Sequence, residues 1–119
     1  MHELSLAGEV LKIAEHEVRA NDAIRVSEIT IEAGDFCGVE IDAFRSALEI
    51  LSEGSFLSTA ALNIVRIKGR GYCHTCDIEF DMESRVDTCP GCNSFASEIR
   101  NGHEFRVVSL VVEKDEKEV

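Results

Sequence analysis

Two Cys-x-x-Cys pairs, Cys73-His74-Thr75-Cys76 and Cys89-Pro90-Gly91-Cys92, stand twelve residues apart and constrain this chain more than any other feature. Two residues between cysteines let one tight turn aim both sulfurs at a common point, and two such turns supply a tetrahedron. Pro90 and Gly91 suit the second turn, since proline fixes φ and glycine permits close backbone approach. The gap is a little shorter than the zinc-ribbon spacing of about 15 to 20 residues. Aliphatic content falls from Gly69 to about Gly102, and four of the five cysteines and the single proline lie there. So short a segment has too little core to fold unaided and needs a staple. Zn²⁺ in a closed Cys₄ site is such a staple, contributing about 10 kcal/mol or more, and it has no open position for activating water. The same sulfurs hold iron equally well in a rubredoxin-like centre, and redox-active thiols are a third reading. His74 reads as a solvent-facing knuckle residue or as a stand-by ligand. Cys37, far in sequence from the others, reads as a small buried apolar residue or as a functional thiol.

Around this segment the hydrophobic pattern is that of an ordinary domain. Residues 4–20 read as an amphipathic helix with Leu4, Ala7, Leu11, Ala14 and Val18 on one stripe and Val10 beside them. Residues 25–33 alternate apolar and polar from Ser27 onward, as a half-buried strand does. Phe36-Cys37-Gly38 forms a short loop. Residues 39–52 make a second helix with Ile41, Phe44, Leu48 and Leu51 on its stripe, ended by Glu53-Gly54-Ser55. Strands follow at 60–68 and 104–112, and the charged tail from Glu113 to Val119 is expected to fray. The expectation is an α+β fold: two helices packed on one face of a three-stranded sheet, with a zinc-ribbon-like Cys₄ subdomain inserted before the last strand. The domain limits are then 1–68 plus 103–119, and 69–102.

Acidic residues outnumber basic ones 23 to 12, for a net charge of −11. A surface of that sign repels phosphate backbones, which argues against nucleic acid and for a metal ion or a protein with a basic patch. No apolar run reaches the ~18 residues that a membrane span requires. No targeting segment is visible, and the cytoplasm is the default location. There cysteines serve as metal ligands or free thiols more often than as disulfides. No glycine-rich phosphate loop and no serine or cysteine triad is visible, so the chain is not expected to be an enzyme.

At the other end, Met1-His2-Glu3 is either an ordinary frayed terminus or a chelate. An α-amino group, the His2 imidazole and an intervening backbone amide can close rings around one ion, with Glu3 adding its amide or carboxylate. Nitrogen-rich planar sets of this kind suit Ni²⁺ or Cu²⁺.

The opening Met1-His2-Glu3-Leu4-Ser5-Leu6 resembles the start of the nickel-insertion accessory proteins of [NiFe]-hydrogenase maturation, the HypA/HybF family. Gly34-Asp35-Phe36-Cys37-Gly38-Val39-Glu40 is similar to that family's Gly-(Asp/Glu)-x-(Ser/Cys)-x-Val segment. The order helix, strand, helix, strand, two cysteine pairs, strand also matches, so the resemblance spans essentially the whole chain. It implies nickel carried on Met1, His2 and Glu3, and structural zinc on Cys73, Cys76, Cys89 and Cys92. The domain 1–68 plus 103–119 then becomes the nickel-binding one. It further implies a HypB-type nickel-handling GTPase as partner and delivery of Ni²⁺ to the hydrogenase large-subunit precursor, by a monomer or weak dimer. In some members histidines flank the zinc knuckle; here His74 lies inside the first pair, but Asn93-Ser94 follows the second. The rival reading is a zinc-ribbon protein-interaction module with no nickel role.

Overall fold

The computed structural model describes His2 to Asp115. In order, its elements are α1 (Glu3–Ala20), β1 (Arg25–Gly34), α2 (Ile41–Ser52), β2 (Ala61–Ile67), β3 (Gly69–Cys73), β4 (Ile78–Met82), β5 (Glu98–Asn101) and β6 (Phe105–Glu113). Two helices and two three-stranded sheets, ordered β2-β1-β6 and β4-β3-β5, make an α+β fold. The chain forms two compact units. One comprises Met1–Ile31, Val39–Asn63 and Val107–Val119; the other comprises Glu32–Gly38 and Ile64–Arg106. The second unit therefore takes in more than the cysteine segment 69–102, adding the end of β1 with the turn after it, most of β2 and the start of β6.

In the first unit α1 packs against α2. α1 buries Ala7, Val10, Ala14 and Val18, whereas Leu4 is 61% exposed and Leu11 is half-buried. The expected stripe is thus rotated toward Val10. Small residues at the contact let the second helix come close, and the larger leucines flank it or project outward. α2 begins at Ile41 and not at residue 39, because Glu40 is extended and its carboxylate accepts the Asp42 amide at 3.3 Å. That capping bond satisfies an amide which has no partner inside the helix. Phe44 and Leu48 form the buried stripe, with Ile41 and Leu51 half-buried.

β1 supplies Val26, Ile29 and Ile31 to this core. The Ile24 amide donates to the Glu113 carbonyl at 2.8 Å, and the Ser27 hydroxyl to the Val111 carbonyl at 3.2 Å, so β6 runs antiparallel to β1. The Val26 amide meets the Phe56 carbonyl at 2.9 Å, and Asn63 meets Thr30 at 3.5 Å. β2 therefore runs parallel to β1, with α2 in the crossover that a parallel pair needs. Glu113 closes β6 as paired strand, Lys114 and Asp115 follow it outside any strand, and 116–119 of the expected frayed tail lie outside the described residues.

The second unit holds three strands that the sequence reading left unassigned. β3 is central, with antiparallel β4 in register from Gly69↔Met82 to Cys73↔Ile78 and antiparallel β5 on its other side. Phe36, Cys73, Phe80, Met82 and Cys89 form its core, bordered by Cys76, Ala96 and Ile99. Gly71 faces into it. A Cβ there would stand 2.5 Å from the Met82 sulfur and 3.1 Å from the Ala96 methyl, so only glycine admits that packing. Across the strands Arg70 bonds Asp81 and Glu79, Arg100 bonds Glu79 and Glu98, and the Arg100 guanidinium lies 3.8 Å over the Tyr72 ring. These exposed ion pairs tie edge to centre but individually contribute little.

Candidate metal centre

The sulfurs of Cys73, Cys76, Cys89 and Cys92 all lie within 4.8 Å of one another, and Cys73 and Cys92 are 3.6 Å apart. A tetrahedron with metal–sulfur bonds of about 2.3 Å requires sulfurs about 3.8 Å apart, so this set fits one divalent ion. The two knuckles are built alike. The Asp77 amide returns to the Cys73 carbonyl at 2.7 Å, and the Asn93 amide returns to the Cys89 carbonyl at 2.7 Å. Asp77 and Asn93 hold φ of 55° and 64°, the left-handed region that these two residue types tolerate. Each turn thus reverses immediately after its second cysteine and leaves both sulfurs on one side. Around the first knuckle the Tyr72 hydroxyl donates to Asp77, and that bond raises the pKa of the phenol. In the second, Gly91 approaches so closely that a Cβ would lie 3.1 Å from the Cys76 sulfur.

The thiols bear the mark of sulfurs gathered for a cation. Hydrogen bonds from the Ser94 hydroxyl and amide, then from Cys73, pull the Cys92 thiol down to about 6. Its neighbour Cys76, hydrogen-bonded to Cys92 and partly desolvated, is pushed up to about 12. Sulfurs this close cannot all carry negative charge together without a positive ion among them. Among the described residues these four are the group of acidic, histidine or cysteine side chains arranged to hold a metal. Cys37 is half-buried and is not among them. His74 is exposed; its ring stands edge-on to Tyr72 and its Nε2 lies 3.6 Å from a Glu98 oxygen, so it faces β5 and not the sulfur cluster.

The other expected site lies in the first unit. Met1 lies outside the described residues. His2 is the N-cap of α1, exposed, with no capping bond from its side chain, and its carbonyl accepts the Leu6 amide at 3.0 Å. Glu3 is half-buried, and its carboxylate accepts the Glu40 amide at 2.9 Å. The start of α1 is therefore set beside the start of α2, which brings in Glu40, a residue that sequence reasoning did not single out. The two are 37 positions apart, and no local pattern signals the contact. Ser94 was also missed as a partner of the sulfurs, although a hydroxyl two residues after Cys92 is a usable clue.

A small α+β protein in which four cysteine sulfurs converge on one point is built to hold a metal ion. Comparison with known proteins specifies the class. The family described as hydrogenase/urease nickel incorporation, metallochaperone, HypA, matches residues 1–112. The hydrogenase maturation factor HypA of Cupriavidus necator is 37% identical over 113 residues, covering 95% of each chain. That of Parabacteroides distasonis is 36% identical over 115 residues, covering 97% of this chain and all of its own. The solution structure of the nickel metallochaperone HypA from Helicobacter pylori superposes with a TM-score of 0.66 at 26% identity, covering 97% of this chain and 100% of that one. A second HypA solution structure gives a TM-score of 0.71 at 26% identity. The chain belongs to the HypA family of nickel-incorporation metallochaperones of hydrogenase maturation, which are not enzymes.

Proposed function

We propose that this chain binds Ni²⁺ through the Met1 α-amine, His2 and Glu3, and passes it to the [NiFe]-hydrogenase large-subunit precursor. On this reading it works in the cytoplasm with a HypB-type nickel-handling GTPase, and Cys73, Cys76, Cys89 and Cys92 hold a structural zinc. The observation that carries the proposal is the state of His2: exposed, at the start of α1, and with no capping bond from its side chain. An exposed imidazole that holds no cap is a ligand that a partner's groups can displace one bond at a time. Such stepwise displacement suits a carrier, which must release what it binds. Bound zinc would supply a closed cross-link with no open coordination position. The two sites differ in ligand softness, nitrogen and oxygen against sulfur, and that difference sorts nickel from zinc.

Titration calorimetry of untagged, zinc-loaded protein tests this reading. His2→Ala is expected to abolish tight nickel binding with zinc content and circular dichroism unchanged, and a short extension before Met1 is expected to weaken it by blocking the amine. Wild-type nickel affinity in both variants would refute the terminal site and leave the zinc-ribbon interaction module as the better reading.

A further inference from the structure

The crossover that joins β1 to β2 leaves a cleft. The end of α2, the 53–60 loop and the facing strands β1 and β2 line it, and its volume is about 530 Å³. Clefts that bind ligands run from about 300 to about 1,000 Å³, so this one takes more than a lone ion. Ile29 and Leu57, both buried, and the half-buried Leu62 make one part of its lining apolar. All its residues lie in the first unit, and none belongs to the cysteine cluster or to the amino-terminal set.

The other part is set against itself electrically. Glu49 and Glu53 line the cleft one helical turn apart, and both are exposed. Like charges at that spacing repel, and the end of a helix adds negative partial charge of its own. α2 has no basic residue in its last turn. Among the described residues neither carboxylate has an ion pair or a hydrogen bond, and Arg45, one turn before Glu49, bridges neither. Between them stands Ser52, only 8% exposed, whose hydroxyl has no hydrogen-bond partner among the described residues. No fully buried side-chain oxygen among those residues lacks a partner, so this hydroxyl opens into the cleft that Ser52 lines. A hydroxyl so withdrawn from solvent costs free energy until something in the cleft bonds it.

We propose that this cleft docks a segment of a partner protein in which a lysine or arginine stands beside a leucine-sized apolar residue. The cationic head donates to the Glu49 and Glu53 carboxylates and to the Ser52 hydroxyl. Its methylene stem and the apolar neighbour pack against Leu57 and Leu62. Charge selects this occupant. At a net −11 the chain repels a second copy of itself and attracts a basic segment. Two carboxylates and a hydroxyl beside an apolar wall are too few ligands for a bare metal ion, and among the described residues the group arranged to hold one is elsewhere.

Amide NMR of the full-length, zinc-loaded protein tests the docking. The probe is the acetylated, amidated peptide Leu-Arg-Leu-Lys-Leu, with Leu-Glu-Leu-Glu-Leu as its acidic counterpart. The basic peptide is expected to shift the amides of Ser52, Gly54, Ser58 and Leu62 saturably, with a Kd on the order of 1 mM or below. The acidic peptide is expected to leave them in place. E49Q/E53Q is expected to bind the basic peptide about fivefold or more weakly without a lower unfolding temperature, since it removes a like-charge pair at a helix end. Unchanged affinity in that variant overturns the proposal, as do shifts confined to other residues or no shift at all. Should the variant lose its fold, salt decides on the wild type: binding that weakens from about 50 to about 300 mM NaCl supports the docking, and binding indifferent to salt overturns it. Butylammonium bound as tightly as the peptide would make the cleft a small-amine site, and concentration-dependent shifts of the same amides without peptide would seat a second copy there; either overturns the proposal.

Discussion

Phe36 is the side chain on which the second unit turns, and its removal gives a quantitative test. It is 7% exposed, and its ring lies where a Cβ on Gly69 or Gly102 would stand 2.5 and 2.8 Å away. The Arg85 guanidinium sits 5.4 Å over the ring and donates to the Phe36 carbonyl at 2.7 Å. Truncation of a buried phenylalanine costs about 3–5 kcal/mol, and loss of the cation–ring contact adds about 0.5–1 kcal/mol. Phe36→Ala is therefore expected to destabilise the unit by about 4 kcal/mol, which raises its open fraction by about a thousandfold at 1.4 kcal/mol per decade. With metal on the four cysteines the unit stays folded, but it opens more often and exposes the sulfurs. The assay is transfer of zinc from the loaded protein to a coloured chelator, in the regime where the unit recloses faster than the chelator captures the metal, so that the rate follows the open fraction. Transfer about a thousandfold faster is expected, with Arg85→Met as a control that changes it by less than about tenfold. A Phe36→Ala rate within about threefold of wild type would show that the ring does not hold the unit closed.

Cys89→Ser is expected to lower bound metal and to speed amide exchange across β3, β4 and β5; slow exchange without metal would show that the apolar core suffices. Asp35 gives the pH dependence. The Arg66 guanidinium, bonding at 2.5 and 2.9 Å, and then the Gly69 amide hold its carboxyl below the usual range. A lowered folded-state pKa stabilises fully above the ordinary value of about 4, and the stabilisation is lost as pH falls through the folded value. Arg66 is 73% exposed, so solvent screening leaves only a small stability deficit when the pair is lost. Asp35→Asn is expected to show that deficit in urea unfolding at pH 7 and to lose it in acid; a deficit that does not vary with pH refutes the assignment.

What the sequence made legible follows from the range of the forces involved. The four cysteines announced their convergence because a Cys-x-x-Cys turn is local, and both knuckles closed within five residues. The two helices and the three long strands were legible through repeated apolar spacing. β3 to β5 were not: Gly-Arg-Gly-Tyr-Cys and Glu-Ile-Arg-Asn hold almost no aliphatic alternation, and their packing depends on glycines that let Met82 and Phe80 close over them. Phe36 read as a loop residue, because only the fold shows that it joins the core of the cysteine unit. Leu4 read as core, because a helical period cannot say where the facing helix ends. The meeting of Glu3 with Glu40 is long-range and has no local signature at all.

The four sulfurs are unequal in reach: Cys73 and Cys89 are 1% and 0% exposed, Cys76 is intermediate, and Cys92 is open to solvent. The centre thus has a back wall, formed by Cys73 and Cys89, and an open side on which Cys92 is the most accessible sulfur. An oxidant, an alkylating reagent or a competing chelator would meet Cys92 before the buried pair, which would keep its hold on a bound ion longest. An oxidation caught early at Cys92, at the sulfenic or disulfide level, is one a reductant can reverse, whereas alkylation there is not.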